Sequence, residues 1–253
     1  MGMDRLRWFI RITRFAIDCA CKDCAPQRYS ARNDVVGADF DKFVALSAEH
    51  KDGWGMAHDG NILKDLKPAV ESPELNQSAS TVMTDGALLL LRLASKGITI
   101  NIDNNHPFTH GSTTFMHNGT IRPGNTAEQF IDEKYKGFIQ GTTDSERYFY
   151  AVLSAIDKHG LVEGVRTTVK SIRAIADYTA LNIMVQTPET LIAVCEFNDA
   201  NKSEWSSEDH YELRFTKRGN DIVVASTGWG NGDWNHLDNH QMLIVDRSTL
   251  EYS

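Results

Sequence analysis

The sequence predicts a single α+β domain in which two β-sheets are enclosed by helices. Its 253 residues, of which 41% are hydrophobic and 24% are charged, suffice to bury one large core. Strand-like segments come first, two helical segments follow between residues 144 and 176, and further strand-like segments fill the remainder. No linker or internal repeat divides the chain, so we expect sheets and helices to pack in layers.

The charge and the hydropathy pattern exclude several classes of protein. A net charge of -8 argues against broad binding to the phosphate backbone of nucleic acids. No segment reaches the roughly 18 consecutive apolar residues that a membrane-spanning helix needs. Four cysteines in a chain of this length do not make a disulfide scaffold. We therefore expect a cytoplasmic protein that binds neither nucleic acid nor membranes.

The first residues alternate between basic and apolar side chains. Arg11 and Arg14 interrupt the apolar run that a secretory signal would need, so export is not expected. An Arg-rich organelle transit peptide and an ordinary amphipathic strand or helix both fit the pattern. We interpret residues 1–18 as an N-terminal extension or propeptide and residues 19–253 as the domain.

Apolar periodicity predicts the elements of the first half. Phe40, Phe43, Val44 and Leu46 recur at helical spacing, which predicts a short helix over Asp39–His50 with Asp39 as its cap. Residues 59–80 are polar and predict turns and irregular structure. Apolar runs predict buried strands at Leu88–Leu91, Ile98–Ile102 and Thr113–Met116.

The second half predicts paired helices followed by strands. One helix spans Asp144–His159 and ends at Gly160, and a second spans Leu161–Ala176. Apolar residues of the second helix face inward: Val162, Val165, Val169, Ile172 and Ile175. Strands are predicted at Ala180–Val185, Thr190–Cys195, Tyr211–Thr216, Ile222–Ala225 and Met242–Val245.

Four polar clusters occur in a characteristic order. They are His50-Lys51-Asp52-Gly53-Trp54-Gly55, Leu91-Arg92-Leu93-Ala94-Ser95, Asn105-His106-Pro107-Phe108 with His117-Asn118-Gly119, and Gly141-Thr142-Thr143-Asp144-Ser145-Glu146. Together they resemble the class II glutamine amidotransferases, over about Asp39 to Glu146 and more loosely at Val223–Ser226 and Trp234–Val245. The resemblance implies the four-layer αββα sandwich of the N-terminal-nucleophile hydrolases. It also implies that Asp52-Gly53-Trp54-Gly55 is a loop that shapes the site.

The resemblance implies roles in splitting an amide. The reaction requires attack on the amide carbonyl, stabilisation of an oxyanion, release of the amine and hydrolysis of a thioester. Asn118 and the backbone N–H of Gly119 fit the oxyanion role, since glycine allows close backbone approach. A type I′ hairpin turn between Met116 and Ile121 is the alternative interpretation of Asn-Gly.

Four further residues are candidates for binding the substrate. Arg92 follows a buried apolar run, where a glutamine α-carboxylate would compensate its charge; an internal salt bridge or an exposed strand end would also account for it. Asp144 is assigned to the α-ammonium, with capping of the following helix as the alternative or an additional role. Ser95 matches a small hydroxyl residue near the substrate carboxylate, and His106 belongs to a His-Pro motif that is either substrate-binding or structural.

The nucleophile is the unsettled part of the resemblance. In this family it is a cysteine at the start of the mature chain, because its own α-amine acts as the base. Here Met1 is followed by Gly2. A propeptide cut before Cys19 would supply the cysteine, since Cys19 lies about as far from Asp52 as the family's cysteine lies from its matching loop.

Two alternatives stay open for the N-terminus. In the first, Leu6–Ile12 is the first strand and non-cysteine residues such as Asp4 take the nucleophile's place, so the domain is inactive. In the second, the recorded start of the chain differs from the natural one. Cys24 is a weaker substitute for Cys19, and the stretch between them is a poor strand. Cys19, Cys21 and Cys24 also fit three ligands of a zinc ion, but a fourth is not evident, so we expect no metal or cofactor.

The predicted activity is hydrolysis of glutamine or a γ-glutamyl amide through a cysteinyl thioester, with release of ammonia or an amine. The expected partner is a small molecule of the glutamine or γ-glutamyl class, and a separate synthase subunit is an alternative acceptor of the ammonia. Two non-catalytic alternatives remain: an inactive γ-glutamyl-binding or regulatory subunit, and a structural subunit whose partner carries the chemistry.

Overall fold

The computed structural model describes residues 5–13, 37–58, 60–82, 84–94, 99–201, 211–219, 221–226 and 233–253. These ranges contain the strands β1 Arg5–Thr13, β2 Trp54–His58, β3 Asn61–Asp65, β4 Gly86–Leu93, β5 Phe108–His110, β6 Thr113–Arg122, β7 Asp177–Gln186, β8 Thr190–Cys195, β9 Leu213–Arg218, β10 Asp221–Ala225, β11 Asn235–Leu237 and β12 Gln241–Asp246. The α-helices are α1 Gly37–Ala45, α2 Pro73–Thr81, α3 Glu133–Lys136, α4 Asp144–His159 and α5 Leu161–Ile175.

The strands form two antiparallel sheets. One has seven strands in the order β11-β9-β10-β1-β4-β2-β3, and the other has five in the order β12-β8-β7-β6-β5. The strand β1 therefore occupies the centre of the larger sheet, between β10 and β4. The basic and apolar residues at the start of the chain thus form a strand over residues 5–13 and not a helix.

Three apolar cores separate four layers. Between the sheets, Leu88 and Leu90 of β4 belong to the same core as Met116 of β6 and Met184 of β7. The outer face of the larger sheet packs against α1 and α2 in a second core. The outer face of the smaller sheet packs against α4 and α5 in a third. The αββα sandwich that the resemblance implied is confirmed.

The apolar run in β4 follows from this layering. Successive side chains of a strand point to opposite faces. Leu88 and Leu90 accordingly face the other sheet, whereas Leu89 and Leu91 face the helices α1 and α2. Because both faces are covered, the strand needs four consecutive leucines rather than an alternating pattern.

Most predicted elements of the second half are confirmed. The bounds of α4 and β8 agree with the prediction, and α5 ends one residue earlier. Its last apolar residue, Ile175, is 53% exposed rather than directed inward, because it lies at the end of the helix. In the first half, α1 begins at Gly37, so Asp39 lies inside the helix and does not cap it.

Other predictions in the first half are wrong. Residues 99–102 form no strand; the side chain of Asn101 accepts a hydrogen bond from the Asn104 amide, and this local bond competes with strand pairing. Residues 61–65 form the strand β3 and residues 73–81 form the helix α2, whereas irregular structure was predicted there. The missed signal for α2 is Ser72, whose hydroxyl caps the helix, followed by Pro73 at its first position.

A close backbone contact joins β2 to the segment that carries His106. A Cβ atom on Gly55 would lie 1.9 Å from the His106 carbonyl oxygen and 2.7 Å from the Pro107 ring. Any side chain at residue 55 would therefore displace this segment.

We expect Gly55→Ala to lower the free energy of unfolding by more than about 2 kcal/mol, since the backbone must move to admit the methyl group. Urea unfolding measures the change. Gly137→Ala is the matched control, because a Cβ there meets nothing within 4 Å. Equal stabilities of the two variants would contradict the described contact.

Candidate active site

Asn118 and Gly119 lie inside β6, so the hairpin-turn interpretation and the expectation that they end a strand are both wrong. Asn118 pairs with Asn182, and Gly119 pairs with Leu181 on β7. Gly119 has φ +153°, and a Cβ atom there would lie 1.9 Å from the Ala180 carbonyl oxygen. Only glycine fits this position. The Oδ1 atom of Asn118 is buried and has no hydrogen-bond partner among the described residues.

A register shift follows Gly119 and connects β6 to α4. The pairing with β7 is irregular between Gly119 and Ile121. The displaced Ile121 amide donates to Asp144 Oδ2 at 2.6 Å, while Asp144 Oδ1 accepts from the Ser145 amide at 2.9 Å. The bulge thereby places Asp144 beside the Asn118-Gly119 segment.

Asp144 is not the helix cap. Thr143 is the N-cap of α4, and its hydroxyl accepts from the Glu146 amide. Burial raises the pKa of the Asp144 carboxyl to about 6, and the backbone hydrogen bonds from Ile121 and Ser145 oppose the rise. A carboxyl with this pKa is mostly ionised at neutral pH, where it can attract an ammonium group, and it loses its charge as the pH falls through about 6.

Arg92 lies near the end of β4 and is 1% exposed, which rules out an exposed strand end. The carbonyl of Gly53 accepts from its amide at 2.9 Å, and its own carbonyl accepts from the Asp52 amide. These bonds extend the pairing of β2 with β4, so the Asp-Gly-Trp-Gly segment enters a strand at Trp54 instead of forming a free loop.

His106 is buried between three cationic or titratable neighbours. Burial first, and then the charges of His117, Arg92 and Lys64, lower the pKa of His106 well below 6.5. Neither of its ring nitrogens has a hydrogen-bond partner in the described part of the chain. Its ring meets Phe108 edge-on at 4.7 Å between centroids. A neutral imidazole with two available nitrogens therefore lies in the same buried region as Arg92.

Sequence reasoning missed the structural roles of two asparagines. Asn105 donates to the Trp54 carbonyl at 2.8 Å, which holds the His106 segment against β2. Asn104 accepts from the Thr142 amide at 2.7 Å, which holds it against the loop before α4. In both hydrogen bonds the two partners are more than thirty residues apart in the sequence. The motif Asn-Asn-His-Pro was visible, but these distant partners were not.

Two predicted site residues lie outside the described residues: Cys19 and Ser95. Among the described residues, Leu6 pairs with Arg92 at one end of β1, and Ile12 pairs with Gly86 at the other. Thr13, the last residue of β1, therefore lies at the end of the strand that is remote from Arg92.

In the described ranges, no cluster of three or more His, Cys, Asp or Glu side chains could hold a metal ion. No helix among these residues has both the length and the apolar character needed to cross a bilayer.

Arg92 and Asp144 are a buried guanidinium and a buried carboxyl group, which are complementary to a carboxylate and to an ammonium group respectively. Comparison with known proteins agrees with this chemistry: the family model for glutamine amidotransferases class-II matches residues 36–206. The chain belongs to this family. The reaction of class-II glutamine amidotransferases in general is hydrolysis or transfer of the glutamine amide.

Individual relatives are distant. "Probable glutamine amidotransferase DUG3" of Saccharomyces cerevisiae is 24% identical over an alignment 274 positions long, which covers 86% of this chain and 76% of that protein. A glutamine aminotransferase class-II domain protein from Silicibacter pomeroyi has a TM-score of 0.65 at 18% identity, covering 98% of this chain and 97% of that one. The glutamine phosphoribosylpyrophosphate amidotransferase from B. subtilis has a TM-score of 0.61 at 17% identity, covering 98% of this chain and 48% of that one. These two structures share the amidotransferase fold.

The burial of His106 predicts a pH dependence of stability. As the pH falls below about 6.5, the unfolded chain binds a proton at this histidine whereas the folded protein does not, so the free energy of unfolding decreases. Between about pH 7.5 and 5.5, we expect this decrease to be smaller in His106→Gln by on the order of 1 kcal/mol.

Urea unfolding of both proteins at the two pH values measures the difference. His159→Gln, at the exposed end of α4, controls for removal of an imidazole from the surface. The same pH dependence in wild type and His106→Gln would contradict a neutral buried ring.

Proposed function

We propose that this amidotransferase binds the γ-glutamyl head of glutamine or of a γ-glutamyl amide and hydrolyses its amide. The observation that supports the proposal is the buried carboxyl of Asp144, bonded to Ile121 beside the Asn118-Gly119 segment, together with the buried Arg92, whose charge acts on His106. Arg92 binds the α-carboxylate and Asp144 binds the α-ammonium. Ser95 and His106 complete the proposed substrate-binding set.

The proposed chemistry proceeds through a thioester on Cys19. The thiolate sulfur attacks the amide carbon, and the carbonyl electrons form an oxyanion that Asn118 and Gly119 stabilise. The C–N bond then breaks, the amine leaves with a proton, and water hydrolyses the thioester. The base is the α-amine of Cys19, so this route requires cleavage before that residue. Where ammonia is transferred rather than released, a separate synthase subunit is the proposed acceptor.

The position of β1 favours a second candidate for the uncut chain, a γ-glutamyl-binding or regulatory subunit without catalysis. From Leu6, opposite Arg92, to Thr13 the strand covers about 23 Å. The six residues from Thr13 to Cys19 reach at most about 22 Å when fully extended. That reach is no longer than the length of β1, and an uncut chain also lacks the free α-amine that the proposed base requires.

Cleavage before Cys19 would remove this restriction, because Cys19 would then be tethered only through residues 20–36. The strand β1 would no longer be connected to Cys19 by the backbone. Its pairing with β4 and β10 could still hold it in the sheet. The two candidate functions thus differ in whether the peptide bond before Cys19 is cleaved, which can be measured.

We expect Arg92→Ala to weaken binding of glutamine or a γ-glutamyl dipeptide by at least about 30-fold, or roughly 2 kcal/mol, because the ligand carboxylate loses its buried partner. Isothermal titration calorimetry measures the affinity. Arg122→Ala is the matched control, since Arg122 pairs with Asp177 at the protein surface. Wild-type affinity in Arg92→Ala would refute the assigned head group.

Binding should weaken as the pH falls through about 6. Below its folded pKa, Asp144 is neutral and no longer attracts the ligand ammonium. The same titration between about pH 5 and 8 should show this loss in wild type and not in Asp144→Asn, whose affinity is low throughout. An affinity that is independent of pH in the wild type would remove Asp144 from the site.

Intact mass and ammonia release decide between the two candidates. A mass corresponding to a start at Cys19, with ammonia release that Cys19→Ser abolishes, would support the hydrolase. Binding without release, by a chain that retains residues 1–18, would support the binding subunit. Ammonia release by Cys19→Ser at the wild-type rate would exclude Cys19 as the nucleophile.

A further inference from the structure

A cavity separate from the candidate active site lies between the edges of the two sheets. It has a volume of about 310 Å³ and is lined by residues of β3, β5, α4 and the connecting loops. Arg92, Asn118, Gly119 and Asp144 are absent from its lining. The cavity adjoins the proposed γ-glutamyl site, since Lys64 interacts electrostatically with Arg92 and His106, but it shares none of the proposed binding residues, so an inference about it does not depend on that proposal.

Lys64 supplies the nucleophilic group of this cavity. Its ammonium donates to the Asn105 carbonyl at 2.5 Å and lies 5.2 Å from the centroid of the Phe108 ring. Within the described ranges, the Asn105 carbonyl is the one acceptor it reaches. The side chain is partly buried in the cavity wall. It is thus held in place while part of its hydrogen-bonding capacity stays available.

Aromatic side chains form much of the remaining wall. Phe138 stacks on Tyr150 with centroids 6.5 Å apart, and the Tyr150 hydroxyl donates to the Phe138 carbonyl at 3.2 Å. His110 packs edge-on against Phe138 at 4.7 Å. Phe138 is 50% exposed at the cavity mouth, and this apolar exposure is suited to a ligand that carries a ring.

The charges around Lys64 act in opposite directions. Burial lowers its pKa to about 8, the carboxylates of Glu146 and Asp103 oppose this, and Arg92 adds to it. Glu146 is held by bonds from the Gln140 and Gly141 amides, at 2.9 and 2.7 Å. A minor fraction of Lys64, far larger than for an ordinary lysine, is therefore uncharged near neutral pH, and the carboxylates favour any product that restores a positive charge.

We propose that Lys64 forms an imine with small aromatic aldehydes that enter this cavity. The nitrogen lone pair attacks the carbonyl carbon, the carbinolamine loses water, and a C=N bond replaces the C=O bond. The imine nitrogen takes up a proton, and the resulting iminium keeps its positive charge beside Asp103 and Glu146. The aldehyde ring packs against Phe108 and Phe138. The step needs no oxidant or reductant.

Labelling the full-length protein with benzaldehyde and sodium cyanoborohydride tests the proposal, because the reductant traps the iminium as a stable amine. Peptide mapping after reaction at about pH 7 compares Lys64 with Lys134 and Lys136 in the same sample. These two lysines carry ion pairs on the surface, and hydrogen bonds to Asp157 and Glu133 raise their pKa values. We expect Lys64 to react at least about ten-fold faster.

Two variants check the role of the cavity. Lys64→Arg keeps a cation beside Asn105 and should eliminate the labelled peptide at residue 64 without changing the labelling of Lys134. Phe138→Ala should lower the preference of Lys64 for benzaldehyde over acetaldehyde by at least about three-fold, because a ring of the wall is lost. Labelling of Lys64 no faster than Lys134 and Lys136, or an unchanged preference in Phe138→Ala, would overturn the proposal. The comparison of Lys64 with Lys134 and Lys136 in the wild type tests the reactivity of Lys64 even if a variant fails to fold.

Discussion

The candidate active site depends on the close contact between Gly119 and the Ala180 carbonyl. This contact requires a residue without Cβ, and the register shift that follows it turns the Ile121 amide towards Asp144. One irregularity in β6 thus holds the Asn118-Gly119 segment, which is proposed to bind the oxyanion, next to a carboxylate at the start of α4. Long-range hydrogen bonds fix the segment that carries His106: Asn104 accepts from the Thr142 amide before α4, and Asn105 donates to the Trp54 carbonyl of β2. Preorganisation of this kind is what electrostatic stabilisation of a transition state requires.

Burial shifts the pKa of three groups near the site. It raises the pKa of Asp144 and lowers those of His106 and Lys64, so each of these groups holds its charge less firmly near physiological pH than it would in water. Arg92 keeps its charge at any such pH. A ligand that brings a carboxylate and an ammonium group would balance the charges of Arg92 and Asp144. Burial in the cavity wall likewise makes the Lys64 amine available for chemistry with a neutral carbonyl compound.

The position of the central strand β1 in the larger sheet bears on which residue could be the nucleophile. The strand β1 has a neighbour on each edge, β10 and β4. Its register with β4 fixes which end of β1 lies next to Arg92. The end that faces Arg92 is preceded in the chain by Asp4, and the segment with Cys19 follows the opposite end. The proposed hydrolysis through Cys19 needs cleavage of the chain because its base is the α-amine of that residue, whereas the proposed binding of a γ-glutamyl head does not.

The sequence by itself determined the fold class, the bounds of α4 and β8 and the identity of the motif residues, because each depends on local periodicity, caps or chain order. The leucine run of β4 predicted a strand, but the division of its side chains between two cores required the second sheet and the helices α1 and α2. The strands at Trp54 and Asn61 were missed because their pairing partners are distant in sequence. Likewise, no local pattern distinguishes Lys64 from the other lysines. Only the tertiary structure decided that Asn118-Gly119 lies within a strand, that Asp144 bonds to the bulge rather than capping its helix, and that Lys64 opens into a cavity, since all three depend on contacts between residues far apart in the chain.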